Sequence, residues 1–271
     1  MRDFLLLKRS QPSVFDFFIY FCSIFLIKMS NTYFQFKQFT VWHDRCAMKV
    51  GTDGVLLGAW VTVFHAGNCK KISILDVGTG TGLIAMIIAQ RNEYADIDAI
   101  DIDNDAFIQA VKNVERSTFK NNIKVFQKSF FDYSTEKKYD LIVSNPPFFK
   151  NALKCPEGKR RVARHNDSLP LKQFIEHAVA MLLENGRIAL ILPAQQSEEL
   201  DFIIATHRLY AIRRTDIVSV EGLHPKRFMV ELSTKDIASE DKVHNTLMLE
   251  TKERERTLQY RELTKDIYLY G

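Results

Sequence analysis

Two stretches of this 271-residue chain combine residue types that can do chemistry. The first, D-V-G-T-G-T-G at 76–82, places three of the chain's 11 glycines, Gly78, Gly80 and Gly82, within five residues. Glycine tolerates left-handed backbone, so such a turn can come close to a ligand and present N–H groups at the start of the next helix. The spacing is GxGxG, with Leu83 where a dinucleotide fingerprint would carry its last glycine, which suits a nucleotide-type ligand and disfavours NAD. Asp101 lies 21 positions after Gly80, at the end of the next apolar run. There it can accept hydrogen bonds from both ribose hydroxyls of a nucleoside held by the loop. Asp103 is the near rival for that role, and capping the helix near Asp105 is the alternative use of Asp101.

The second stretch is S-N-P-P-F-F at 144–149. Pro146 and Pro147 fix the backbone and remove two N–H donors, so the Asn145 amide and the Pro146 carbonyl can both point as acceptors into a cleft. Phe148 adds a flat apolar face for stacking. That set suits an exocyclic amine on a planar ring.

The surrounding segments alternate between apolar runs and helical spacing, the pattern of an α/β sheet covered on both faces. ISILDV at 72–77 predicts a buried strand, with a helix over 82–91 behind it. A second strand is expected at 96–101, followed by a helix over 105–116 with Ala106, Ala110 and Val114 in register. Three more strands are expected near Ile123, over 139–145 and over 186–193, with a helix over 171–183 between the last two. Segments 212–220 and 227–233 predict late strands of antiparallel character. No linker divides the chain, and Trp42 and Trp60 are expected in the core.

Composition limits the remaining possibilities. With 46% hydrophobic and 26% charged residues the chain fits a soluble globular protein, and 37 basic against 33 acidic residues permit a nucleic-acid partner without demanding one. Cys22, Cys46, Cys69 and Cys155 form no CxxC pair and the seven histidines show no metal-ligand spacing, so neither a disulfide framework nor a metal site is expected. A reducing cytosol fits best. The apolar run 14–27 behind Lys8 and Arg9 imitates a secretory signal, but Asp16 interrupts it and Lys28 closes it without a small-x-small cleavage site. It is too short to span a bilayer, which takes about 20 residues. Residues 1–28 are therefore expected to be an extension upstream of a start at Met29. A packed helix and a weak membrane-surface anchor are the alternatives, and 29–271 is expected to form one domain.

Taken together, NPPF after the fourth parallel strand and the glycine loop resemble the S-adenosylmethionine-dependent amino-methyltransferases marked by (D/N/S)PP(Y/F/W). The segment F-K-Q-F-T-V-W-H-D-R-C-A-M-K-V-G-T-D-G-V-L-L-G-A-W at 36–60 and H-P-K-R-F at 224–228 narrow the likeness. With them the chain resembles the bacterial tRNA1(Val) (adenine(37)-N6)-methyltransferase family over 33–270. The resemblance implies a Rossmann-like class I methyltransferase fold, a mostly parallel seven-stranded sheet with helices on both faces. It implies S-adenosylmethionine as cofactor, tRNA as partner, no obligate protein partner, and methylation of the adenosine 37 amine in the anticodon loop of tRNA(Val). It also places Lys49, Thr52 and Asp53 over the methionine end of the cofactor, Asp76 near its ammonium, and Ser129 and Phe130 near its adenine. Lys49 and Thr52 equally suit an ordinary helix start. NPPF is shared with rRNA guanine-N2 and protein glutamine-N5 methyltransferases, which remain the alternatives.

The stretch 150–165 is rich in Lys and Arg beside this motif. Lys159, Arg160, Arg161 and Arg164 are expected to meet RNA phosphates, with a solvated basic loop as the alternative. Lys226 and Arg227, with His224, could extend that surface. His165 and His177 are expected to be polar surface or helix residues rather than acid–base groups.

Overall fold

An antiparallel pair of three-residue strands, β1 (Tyr33–Gln35) and β2 (Thr40–Trp42), precedes α1 (Thr52–Trp60). The computed structural model describes residues 31–46, 49–63, 71–146 and 170–269. Phe36 stacks between Phe39 and Tyr268 with ring centres 4.9 and 5.9 Å apart, which pins the hairpin to the C-terminal segment.

The parallel strands are β3 (Ile72–Val77), β4 (Ala95–Asp101), β5 (Ile123–Gln127), β6 (Tyr139–Ser144) and β7 (Leu182–Pro193). Between them run α2 (Leu83–Arg91), α3 (Asn104–Glu115) and α4 (Leu171–Met181). After β7 come α5 (Ser197–His207), β8 (Tyr210–Val220), β9 (Arg227–Ser233), β10 (Val243–Glu250) and α6 (Leu258–Thr264). The main sheet has the order β10-β8-β9-β7-β6-β3-β4-β5, and only β9 runs antiparallel to its neighbours. The sheet thus has one strand more than the seven expected. β10 adds itself parallel to β8, with its first four residues exposed at the edge.

Alternation along the strands builds two cores. Ile74, Ile97, Leu141 and Ile191 face α1, α2 and α6, whereas Leu75, Ile100, Ile142 and Leu192 face α4 and α5. In α2, seven consecutive residues from Leu83 to Ala89 are buried, because the helix is enclosed by the sheet on one side and α1 on the other. Close approach of the two helices depends on Gly58, where a Cβ would sit 3.0 Å from Ile87.

The predicted elements stand within a few residues of their expected bounds, with one larger difference. β7 starts at Leu182 rather than Gly186, and its pairing with β6 is irregular between Tyr139 and Leu141. The Asn185–Gly186 pair stays extended, and Gly186 packs so tightly that a Cβ would meet the Tyr139 carbonyl at 2.8 Å. Trp60 is in the core as expected, donating to Thr215 Oγ1 at 2.9 Å. Trp42 is only half-buried, with the Arg116 guanidinium 5.4 Å above its ring.

At the end of α1 opposite the glycine loop, Glu231 is fully buried yet well supplied with donors: Thr62 N–H, Thr62 Oγ1 and Arg187. Arg91 and Arg213 donate to the carbonyls of Gly58, Trp60 and Val61, satisfying the orphan acceptors at the helix C-terminus. This polar network fixes the far end of α1, so that its N-terminus is held where the ligand cleft opens.

Candidate active site

Sheet order reverses at β3. From it, β4 and β5 lie to one side and β6 to the other, so the loops leaving β3 and β6 part and open a crevice at their carboxyl ends. The Ser144 hydroxyl donates to the Val77 carbonyl at 2.7 Å and locks the two strand ends together. The glycine loop follows Val77, and Asn145 and Pro146 follow Ser144. Between them lies a cleft of about 920 Å³ whose wall includes Lys49, Thr52, Asp53, Gly78, Gly80, Asn145, Pro146, Lys226 and Arg227.

The loop is held open by its own backbone. Gly78 and Gly80 have φ of 69° and 58°, and a Cβ on either would meet nothing within 4 Å. It is therefore the left-handed backbone, and not crowding, that requires glycine here. Gly78 and Thr79 N–H groups donate to the Ile100 carbonyl at 2.9 and 3.0 Å, tying the loop to the end of β4. Gly82 caps α2 with φ 82°.

Asp101 braces this loop: its Oδ2 accepts from Gly80 N–H at 2.8 Å and its Oδ1 from Asp103 N–H at 2.9 Å. Burial raises the Asp101 carboxyl above its ordinary value, opposed by these amides. Asp103, the near rival, accepts from Ala106 N–H at 2.8 Å and is the cap of α3.

Asp76 lies fully buried beneath the loop, with Thr79 Oγ1 donating to its Oδ2 at 2.6 Å and no hydrogen bond to its Oδ1. Burial pushes its carboxyl up to about 7, against the pull of the Thr79 hydroxyl and the Ala85 amide. A folded-state value above the unfolded one means that the unfolded chain ionises first. Stability is therefore expected to fall as pH rises from about 4 through 7, and Asp76→Asn is expected to flatten that part of the profile in thermal melts. An unchanged pH profile in the variant would refute the assignment. A cation brought to Asp76 would favour the carboxylate, so its binding near pH 6 is expected to release a proton, seen as a buffer-dependent heat.

Thr52 is the first residue of α1 and Asp53 lies in its first turn, where a carboxylate suits the helix dipole. Thr52 thus both starts the helix and lines the cleft. Asp53 Oδ1 forms an ion pair with Arg227 Nη1 at 2.6 Å, both side chains being about 30% exposed. Arg227 opens β9 opposite Pro193 of β7. Because β9 is antiparallel, its first residues reach the edge where the parallel strands end, which brings the 224–228 motif to the cleft. Arg227 is engaged by Asp53, whereas Lys226 is exposed.

Ser129 and Phe130 are not in the cleft wall. The Phe130 ring is buried against Phe174 and His177, with centres 4.9 and 4.7 Å apart. His177 is accordingly a helix-packing residue of α4. Pro147, Phe148, His165 and the basic residues Lys159, Arg160, Arg161 and Arg164 lie outside the described residues. Wall residues that sequence reading missed include Thr81, Leu192, Gln195 and Ser219. Their common signal is position, because Leu192 and Ser219 sit at the carboxyl ends of β7 and β8. Burial, with Asp101, Asp103, Asp105 and Asp44 nearby, pushes the Cys46 thiol up to about 12, which denies it a nucleophile's role. Among the described residues, no group of three or more His, Cys, Asp or Glu side chains could hold a metal, and no helix is long and apolar enough to cross a membrane.

A predicted O-methyltransferase of known structure from Agrobacterium tumefaciens shares this fold, with a TM-score of 0.60, 17% identity, and coverage of 79% of this chain and 96% of that one. The family model for the methyltransferase small domain matches residues 59–207, which contain the glycine loop, Asp101 and NPPF. Over 243 residues the chain is 47% identical to the tRNA1(Val) (adenine(37)-N6)-methyltransferase of Parabacteroides distasonis, covering 89% of this chain and 99% of that protein. The protein of the same name from Bacteroides thetaiotaomicron is 42% identical with the same coverage. A cleft at the β3/β6 reversal with Asn145 and Pro146 on one wall, joined to identity over nearly the full length of these relatives, places the chain in the tRNA1(Val) (adenine(37)-N6)-methyltransferase family.

Proposed function

We propose that this enzyme transfers the methyl group of S-adenosylmethionine to the exocyclic N6 amine of adenosine 37 in the anticodon loop of tRNA1(Val). The observation that carries this reading is that two amine acceptors, Asn145 and the Pro146 carbonyl, share one cleft with the glycine loop. The cleft and the two carboxylates behind its glycine loop fit the cofactor. The loop leaves open space beside Gly78 and Gly80, Asp101 stands at the strand end where ribose hydroxyls would be met, and Asp76 keeps an unbonded buried oxygen suited to a cationic group. When bound, S-adenosylmethionine supplies an electrophilic methyl group on a sulfonium.

The remaining work falls to the chain. An aromatic amine is a poor nucleophile because its lone pair is delocalised into the ring. Donating its two N–H groups to Asn145 Oδ1 and the Pro146 carbonyl would favour a pyramidal nitrogen with the lone pair free to attack, without prior deprotonation; the methyl–sulfur bond would break as the nitrogen–carbon bond forms, and the cationic methylated nitrogen would then release one N–H proton to water. Catalysis is then chiefly positioning and electrostatic stabilisation. The target base must leave its stack to reach these acceptors, and Phe148 is placed by the motif to receive its face. Lys49, Thr52 and Asp53 would cover the methionine end.

Lys159, Arg160, Arg161, Arg164 and Lys226 would meet RNA phosphates around the cleft. We place residues 1–28 outside the catalytic domain, which spans 29–271, and the reaction in the cytoplasm.

The test is nucleoside mass spectrometry of tRNA and rRNA from cells with and without the gene. Loss of N6-methyladenosine at position 37 of tRNA1(Val) is expected. Loss of an rRNA N2-methylguanosine or of a glutamine N5-methyl mark, with adenosine 37 unaffected, would transfer the activity to those substrates.

A further inference from the structure

A second cavity, of about 360 Å³, lies outside the cleft between β2 and α3. Its lining is Trp42, Asp44, Arg45, Gln109, Lys112 and Arg116. Arg45, Lys112 and Arg116 are exposed, and among the described residues none of them forms an ion pair. Asp44 is the one carboxylate among these lining residues, and Asp101, Asp103 and Asp105 act electrostatically on the neighbouring Cys46. No part of the proposed chemistry uses this groove.

The groove is tied to the cleft by hydrogen bonds. Asn113, fully buried on α3, donates to the Trp42 carbonyl at 2.8 Å and to the Thr81 carbonyl at 2.9 Å, and accepts from Trp42 N–H at 3.0 Å. Gln109 accepts from Arg45 N–H at 3.3 Å. One amide side chain therefore spans from the groove to Thr81 in the cleft wall. Through Gln109 the segment at Arg45 is held on α3, the helix that follows directly on the carboxyl end of β4.

A cleft that admits one base leaves the rest of the substrate outside it. The polyanionic backbone flanking that base must pass over whatever surface adjoins the cleft edge, and cations there gain by displacing condensed counterions. We propose that the Arg45–Lys112–Arg116 groove is a second tRNA-binding surface that takes backbone phosphates of the substrate, with Trp42 as its floor. The proposal rests on the tRNA reading above and adds a contact surface that the motifs did not indicate.

The test uses the full chain and tRNA1(Val) transcript, with wild type and the triple variant Arg45→Ala, Lys112→Ala, Arg116→Ala. Binding is measured by fluorescence anisotropy of labelled tRNA at several salt concentrations, and methyl transfer is measured in parallel. Each lost phosphate contact lowers the slope of log affinity against log salt by roughly 0.7–0.9. The variant is expected to lose about 2 units of slope and to raise the tRNA KM about tenfold or more, with kcat and cofactor affinity unchanged. Lys112→Glu alone, which leaves the Arg116–Trp42 contact intact, is expected to move slope and KM the same way. In wild type, tRNA is expected to quench intrinsic fluorescence, and Trp42→Phe to remove that quench.

Unchanged slope and KM in a wild-type background that methylates tRNA would overturn the groove and leave the proposed function standing. Wild-type protein that binds tRNA without methylating it would overturn the proposed function, and the slope comparison would still decide the groove. Protein that neither binds nor methylates tRNA overturns both.

Discussion

Replacing Asn145 with alanine is expected to lower kcat for methyl transfer by roughly 10²–10³-fold, the scale seen when one preorganised polar contact to a reacting centre is removed. The expectation follows from place. Asn145 stands half-buried in the cleft wall directly after Ser144, and Ser144 is locked to Val77 by its hydroxyl, so the amide is presented from a strand end with little freedom to wander. Its proposed partner is the target amine, and the glycine loop proposed to hold the cofactor is braced by other groups. Cofactor affinity should therefore stay within a few fold of wild type, while kcat and kcat/KM fall together. Asn145→Asp keeps an acceptor oxygen and is expected to retain more activity than Asn145→Ala. Titration calorimetry of the cofactor supplies the discriminating control. If Asn145→Ala abolished cofactor binding, the residue would belong to the cradle and not to the amine site.

The strands that carry the site are legible because each pairs an apolar run with a breaker: Ile72–Val77 ends on glycines, and Tyr139–Ser144 ends on Asn-Pro-Pro. A buried parallel strand must be apolar on both faces, so its ends show sharply in sequence. Elements with thin apolar faces were not legible. α5 buries only Leu200 and Ile203, and α6 only Tyr260 and Thr264. β10 leaves its first four residues exposed, so half of it lacks the alternation that marks a strand. The β1–β2 hairpin is set by Phe36 stacking on Tyr268, from the opposite end of the chain.

The site follows the same logic. Motif residues next to one another in sequence could be assigned in advance, whereas pairings across the fold could not. The carboxylates at 101 and 103 are equivalent in sequence, and only the helix start at Asn104 makes Asp103 the cap and leaves Asp101 for the loop. Arg227 read as one more cation of a basic surface. It turns inward to Asp53 because β9 runs backwards in an otherwise parallel sheet, which no local spacing records.

Asp101→Ala is expected to do the reverse of Asn145→Ala, weakening cofactor binding about tenfold to hundredfold while leaving the chemical step of the loaded enzyme close to wild type. A hydrogen bond involving a charged group contributes roughly 1.5–3 kcal/mol, which sets that range. Two losses combine here. The ribose hydroxyls lose their proposed acceptor, and Gly80 N–H loses the oxygen 2.8 Å away that holds the left-handed turn in place. Asp101→Asn separates them in part, because its one amide oxygen can still accept from Gly80 while the charge proposed to face the ribose is gone and its NH2 group meets Asp103 N–H in place of an acceptor. If the charge toward the ribose dominates, Asp101→Asn should resemble Asp101→Ala in cofactor Kd but lie between Asp101→Ala and wild type in thermal stability without cofactor, since only the acceptor for Asp103 N–H is lost. If loop bracing dominates, Asp101→Asn should bind nearly as well as wild type. Cofactor affinity unchanged in both variants would remove Asp101 from the cradle altogether. Asp103 would not inherit the role, since its side chain is already committed to capping α3.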